Sequence, residues 1–152
     1  QNMAEYSQNM QGKLKTQLMS FDVMAEENTR LRNREEFLCK LLIPYIKPLD
    51  SLIKSPKQLT IVQWAEVEEN INKLYNNFTL RLKEQFPSFT NNDLQVCCLI
   101  KLRITVSDIA KILNISPASV SKRKQRIKEQ IIKELGDNFD KSQLIDIWIW
   151  EY

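Results

Sequence analysis

The sequence predicts an all-α fold, and three features of its 152 residues carry that reading. Glycine occurs only twice while Leu, Ile, Lys, Glu, Gln and Asn dominate, so helix formers are plentiful and the turn chemistry of a sheet protein is missing. Apolar residues recur at steps of three and four rather than at every second position. Thr and Ser residues with helix-starting partners stand just before several of these runs. A hydrophobic share of 43% against 27% charged suits one or two small globular domains with real cores, and it excludes collagen, disordered and disulfide-scaffold classes.

From the amino end, Met10, Leu14, Gln17, Phe21, Met24, Asn28, Leu31, Glu35, Leu38 and Leu42 step by four and three, the seam of a seven-residue repeat. Gln17, Asn28 and Glu35 interrupt it, and a buried Asn at such a seam fixes register and strand number at a cost in stability. This predicts a long, coiled-coil-like helix that dimerises; the alternative is one amphipathic helix folded back on its own chain. Pro44, Pro48 and Pro56 then make a kinked connector, because each removes a helix donor and biases its predecessor out of helical angles. The expected boundary lies near Ser55, separating an amino-terminal section 1–55 from a carboxy-terminal domain 56–152. Thr60 can cap a helix in which Trp64, Val67, Ile71, Leu74, Tyr75, Phe78 and Leu82 keep the 3.6 period to Phe86, with Pro87 as its end.

Three further helices are spelled out by start and stop signals. Thr90 and Asp93 have capping-box spacing before the apolar run Leu94 to Leu102, with a short Asp where Glu or Gln is usual. Thr105 and Asp108 repeat the spacing before Ile109, Ala110, Ile112 and Leu113. Asn114, tolerant of left-handed angles, opens a break that closes with Ser116 as cap and Pro117 at the first helical position. The closing "IDIWIWEY" reads as a short helix from Ser142, either docked on the domain or offered to a partner.

A short helix, a tight turn and a longer helix over about 117–134 form a helix-turn-helix, whose second helix enters the DNA major groove. Val120, Ile127 and Ile131 define its buried stripe, set against Ile109, Leu113 and Leu99, so Ala118, Lys122 and Gln125 fall opposite. Ser119, Ser121 and Arg126 flank that outer face, and these six are the candidate base-reading residues. Thr105, Ser116, Arg123, Lys124 and Lys128 are the candidate phosphate contacts. The net charge is only +3, so position matters more than total. From Lys111 to Lys133 there are seven cations and Glu129 is the sole acid, whereas a merely solvated helix face interleaves both signs.

The stretch "FTNNDLQVCCLIKLRITVSDIAKILNISPASVSKRKQRIKEQIIKELG" resembles the carboxy-terminal DNA-binding domain of LuxR-type regulators. Thr90, Asp93, Thr105, the run Asp108-Ile109-Ala110, the pair Ile115-Ser116, the pair Ser119-Val120 and Ile127 sit where that motif has them. With the upstream "QWAEVEENINKLYNNFTLRLKEQFPSFT", the likeness covers roughly residues 60–136 and is closer to regulators of Bacteroidetes, in which repeats, a membrane helix and a coiled coil often precede the domain. The resemblance implies a dimeric, sequence-specific transcriptional regulator whose partner is double-stranded DNA. Arg103 stands where the motif usually has Gly, and Ser121 and Arg123 replace its usual Lys and His, so no operator sequence carries over.

No enzyme is expected: the chain has no His, and no nucleophile stands beside a base. No cofactor is expected either. Cys39, Cys97 and Cys98 lack metal spacing and read as reduced core residues of a cytoplasmic protein. The start at Gln1 suggests a fragment, leaving room upstream for a sensor or a membrane anchor. The competing readings are a coiled-coil assembly module with a basic solvated helix, and a sigma-factor-like promoter-binding domain.

Overall fold

Helix starts in the computed structural model fall where side chains can replace missing backbone partners. The structure describes residues 2–152; Gln1, the first residue of the expected amino-terminal section, lies outside them. At the amino end the Asn2 side chain accepts the Glu5 N–H at 2.9 Å, so α1 begins at Met3, earlier than the apolar seam, and runs to Leu42. Its 40 residues span roughly 60 Å at 1.5 Å per residue. All described residues are helical, turn or irregular, with no strand among them.

The chain divides into two compact units, with the border between Leu42 and Ile43. This is earlier than the boundary expected near Ser55, and the physical reason is burial. A 3-10 turn at Ile43–Tyr45 leads into α2, Lys47–Lys54, whose Leu49 and Leu52 are 0% and 2% exposed within the core of the second unit. Fully burying such a side chain is worth about 1.5–3 kcal/mol, which ties the Pro-kinked connector to that unit.

The single helix expected from Thr60 to Phe86 is two helices. Thr60 caps α3, Ile61–Leu74, in a complete capping box with Gln63, and α4 covers Phe78–Gln85. Between them Asn76 and Asn77 both take left-handed angles, φ 52° and 56°. Asn72 stabilises the break, accepting the Thr79 N–H and donating to its hydroxyl at 2.8 Å. The apolar period survives because the same residues, Val67, Ile71, Phe78 and Leu82, point inward from two helices instead of one.

The remaining helices are α5, Asn91–Lys101, α6, Val106–Leu113, α7, Pro117–Leu135, and α8, Ile145–Glu151, with a 3-10 turn at Gly136–Asn138. Their apolar faces join α2, α3 and α4 in one core that includes Phe86, Phe89, Leu99, Ile109, Ile127 and Ile131. Cys97 and Cys98 lie fully inside, where burial pushes both thiols upward and keeps them protonated; all three cysteines are free and buried, as expected of core residues. The tail starts its helix at Ile145 rather than Ser142, because Asp140 takes the Ser142 N–H and hydroxyl into a turn.

Helix α8 is docked, not loose. Ile145 and Ile149 are buried, the Trp150 indole N–H donates to the Ile100 carbonyl at 2.9 Å, and Trp148 stacks on Tyr152 and edges against Phe86. Its last turn needs acceptors satisfied, and the ammonium of Lys101 donates to the carbonyl of Trp150 while Arg81 donates to the main-chain oxygen of Tyr152. Two cations at a helix carboxy end also complement its dipole.

Candidate nucleic-acid interface

The two turns that shape the helix-turn-helix are built from residues in left-handed backbone conformations. After α5, Arg103 has φ 60°, and the Ile104 N–H reaches back to the Leu99 carbonyl at 3.1 Å. This is a helix stop usually made by glycine. Its side chain lies over the Trp150 ring, 4.4 Å from the centroid, a cation–π contact that offsets part of the strain. After α6, Asn114 takes φ 54° and the Ile115 N–H bonds the Ala110 carbonyl at 3.0 Å, as its tolerance for left-handed angles predicts.

Each following helix is capped by the residue expected. Thr105 Oγ1 accepts the Asp108 N–H at 3.3 Å, and Ser116 Oγ accepts the Ser119 N–H at 3.1 Å while sharing a hydrogen bond with Ser119 Oγ. No reciprocal bond makes the Thr105 cap a full box. Both caps are exposed, and a hydroxyl that accepts from its own helix still has a proton to give an anion. The amino ends of α6 and α7 thus present a hydroxyl beside partly unsatisfied N–H groups.

The inner stripe of α7 is as expected: Val120, Ile127 and Ile131 are fully buried together with Ile109 and Leu99, and Leu113 is half-buried. Across from it, Ala118, Ser121, Lys122 and Gln125 are exposed, while Ser119 is half-buried. Lys122 and Arg123 make no ion pair among the described residues. Further along, Glu129 takes the outer face and lies 3.4 Å from the Gln125 amide nitrogen. Glu129 thus separates the basic outer surface of the first turns from the exposed Lys133 in the last turn.

Two of the candidate residues have other employment. Arg126, expected at base edges, donates instead to Asp93 at the start of α5. Asp93 is 1% exposed and also accepts the Thr90 N–H at 2.9 Å in the Thr90–Asp93 capping box. Burial alone would raise the Asp93 carboxyl, but the Thr90 N–H and the Arg126 guanidinium outweigh it and hold the carboxyl below its ordinary 3.8. Lys124, expected on a phosphate, has a side chain only 13% exposed and donates to Asp146 of α8 at 3.0 Å. Both cations point sideways into neighbouring helices, Arg126 toward α5 and Lys124 toward α8, and they fix the pose of α7 instead of extending its outer face. Lys128 and Arg123 are half-buried, with stems along the domain.

Sequence reasoning passed over the partners of these two cations. Asp93 was legible as a cap, and Asp146 only as part of an aromatic tail; nothing local shows that residues 33 and 22 positions away complete the pairs. Comparison of the chain with models of known families, with characterised proteins and with solved structures gives no match. No helix among the described residues is long and apolar enough to cross a membrane.

Proposed function

We propose that the chain is a sequence-specific DNA-binding transcriptional regulator that lays the amino-terminal half of α7 in the major groove and acts as a homodimer. The observation that carries this reading is the three-sided use of α7. One face is buried, two flanks are pinned by Arg126–Asp93 and Lys124–Asp146, and the remaining face offers small residues and Lys122 and Gln125 to solvent. Small side chains let the helix approach base edges, and Lys and Gln hydrogen-bond guanine and adenine edges there. Thr105, Ser116, Arg123 and Lys128 supply phosphate contacts around that face. The residue pattern resembling LuxR-type domains supports the same reading, as does the helix-turn-helix packing of α6 on α7. The protein then works in the cytoplasm, where bacterial DNA is.

Fluorescence polarisation of a labelled random duplex at stepped salt tests it. The two cationic phosphate contacts, Arg123 and Lys128, give a slope in log affinity against log salt of about −1.8 for each domain engaged, at −0.9 per neutralised phosphate. Affinity that does not change with salt overturns the reading.

A further inference from the structure

We infer that the cleft between α3 and α5 is a binding site for a small primary amine with an apolar body, whose ammonium group is taken by Glu68. The inference goes beyond the DNA-binding reading and uses none of the residues offered there as DNA contacts. Residues at i, i+3, i+4 and i+7 line the cleft from both helices, starting at Ile61 on α3 and at Asn91 on α5, so one continuous face of each helix is turned to it. Its volume of about 440 Å³ is that of a small-molecule site.

The walls are largely apolar. Trp64 and Leu94 are half-buried against the domain core, Ile61 at the start of α3 is 90% exposed, and Cys98, at 3%, is the most deeply buried of the lining residues. Such walls hold an aromatic or alkyl body and give a bare hydrated cation nothing to bind.

Among the described residues that line the cleft, Glu68 alone is charged. Its carboxylate is held by a relay that starts at the break between α3 and α4. Asn72 donates its amide N–H to Thr79 Oγ1 at 2.8 Å and accepts the Thr79 N–H at 2.9 Å. The Thr79 hydroxyl then gives its proton to Glu68 Oε1 at 2.9 Å, a charged and closer acceptor than the Asn72 oxygen at 3.1 Å. Thr79 is 2% exposed, so the anchor lies inside the domain, while Glu68 is exposed and keeps Oε2 open. No cation answers this charge: Lys73, the next along α3, pairs with Glu69 at 3.1 Å. The charge acts on the wall as well, since burial, then Cys97, then Glu68 hold the Cys98 thiol up.

The polar lining selects the head group. The amides of Asn91 and Gln95 make no side-chain hydrogen bond among the described residues, and with Glu68 Oε2 their oxygens offer three acceptors to the three N–H donors of a primary ammonium. The Trp64 ring adds a face that attracts a cation. An anion would meet the Glu68 charge, and a hydroxyl or a quaternary ammonium would make fewer of these bonds.

The test uses the full chain, labelled with ¹⁵N, and follows the three tryptophan indole N–H resonances during titration with 2-phenylethylammonium, its neutral isostere 2-phenylethanol and its N-trimethyl analogue. The Trp64 resonance, assigned by its loss in Trp64→Phe, should move with the amine and saturate with a Kd on the order of 1 mM, while those of Trp148 and Trp150 stay in place. The alcohol and the trimethyl analogue should bind about tenfold more weakly. Glu68→Gln can still accept from Thr79, so the fold is kept; it should weaken the amine by about tenfold and leave the alcohol unchanged. Ala65→Leu, on the exposed surface of α3, fills the cleft and should abolish binding of all three probes. Amine and alcohol binding equally, Glu68→Gln binding the amine as the parent does, or binding that survives Ala65→Leu each overturns the inference. So does a Trp64 resonance that does not move at about 20 mM amine, roughly twenty times the expected Kd.

Discussion

Removing the Asp93 carboxylate decides whether Arg126 holds α7 in place or reads DNA. In Asp93→Ala the Thr90 N–H loses its acceptor, a loss of about 1 kcal/mol for an N-terminal cap. The guanidinium bond adds about 1 kcal/mol, the low end for a charge-assisted hydrogen bond, because the Arg126 side chain is 54% exposed and rehydrates when released. The total is about 2 kcal/mol. Arg126→Ala should cost about 1–2 kcal/mol, since it strips the counter-charge from a carboxylate that is 1% exposed yet leaves the Thr90 bond. The double variant should match Asp93→Ala alone, so the coupling between the sites equals the Arg126 term.

Urea unfolding followed by tryptophan fluorescence reads this directly, because Trp64, Trp148 and Trp150 all belong to the second unit. The pH dependence has a fixed sign. Asp93 is held below its ordinary carboxyl range in the folded state, so its contribution is fully present above about pH 4 and fades as pH falls through the lower folded value. The gap between parent and Asp93→Asn should be constant from pH 7 to 5 and close only in stronger acid. If Arg126→Ala leaves stability untouched and instead relaxes preference at one base pair, Arg126 is a reader and the positioning role is wrong.

Other substitutions separate the remaining roles. Lys122→Ala or Gln125→Ala should cost roughly 1–3 kcal/mol at a preferred site and relax choice at one or two base pairs in a binding-site selection, with little effect on random duplex. Arg123→Ala and Lys128→Ala should reduce the salt slope by about 0.9 each and weaken all sequences alike, whereas Lys124→Ala should leave the slope unchanged and lower the unfolding midpoint by loosening Asp146 of α8. Arg103→Gly should be near neutral in urea unfolding, since relief of a left-handed residue, about 1 kcal/mol, is offset by loss of the Trp150 contact; Arg103→Val, unable to do either, should destabilise clearly. Asn28→Leu should tighten association while admitting more than one oligomer size, as mass measurement across a concentration series would reveal.

How much of this was legible in the sequence depended on the range of the interaction that decides it. Caps at Thr60, Thr90, Thr105 and Ser116 act over three residues, and each is read from its own neighbourhood. The left-handed stop at Asn114 was visible for the same reason. The break after Leu74 was not, because the period of Val67, Ile71, Phe78 and Leu82 continues through it; only the Asn76-Asn77 pair marks the turn, and its fixing bond runs from Asn72 to Thr79. The boundary near Ser55 failed because proline marks where a helix stops, not which core the connector packs on, and that was settled by Leu49 and Leu52.

The same limit explains the division of cations on α7. Periodicity gives each side chain an azimuth around the helix: at 100° per residue Lys124 lies about 40° from Val120, Arg126 about 120° away on the other side, and Lys122 nearly opposite. Azimuth does not say what occupies a flank. The side toward α8 carries Asp146 and the side toward α5 carries Asp93, so two of the cations that look like DNA charge are neutralised within the domain. A DNA-reading helix needs both kinds, since an outer face aimed at bases is useful only if the helix cannot roll about its own axis. The Arg126 and Lys124 pairs oppose rolling in either direction, and they leave Lys122 and Gln125 as the residues whose exposure owes nothing to a partner beyond the helix itself.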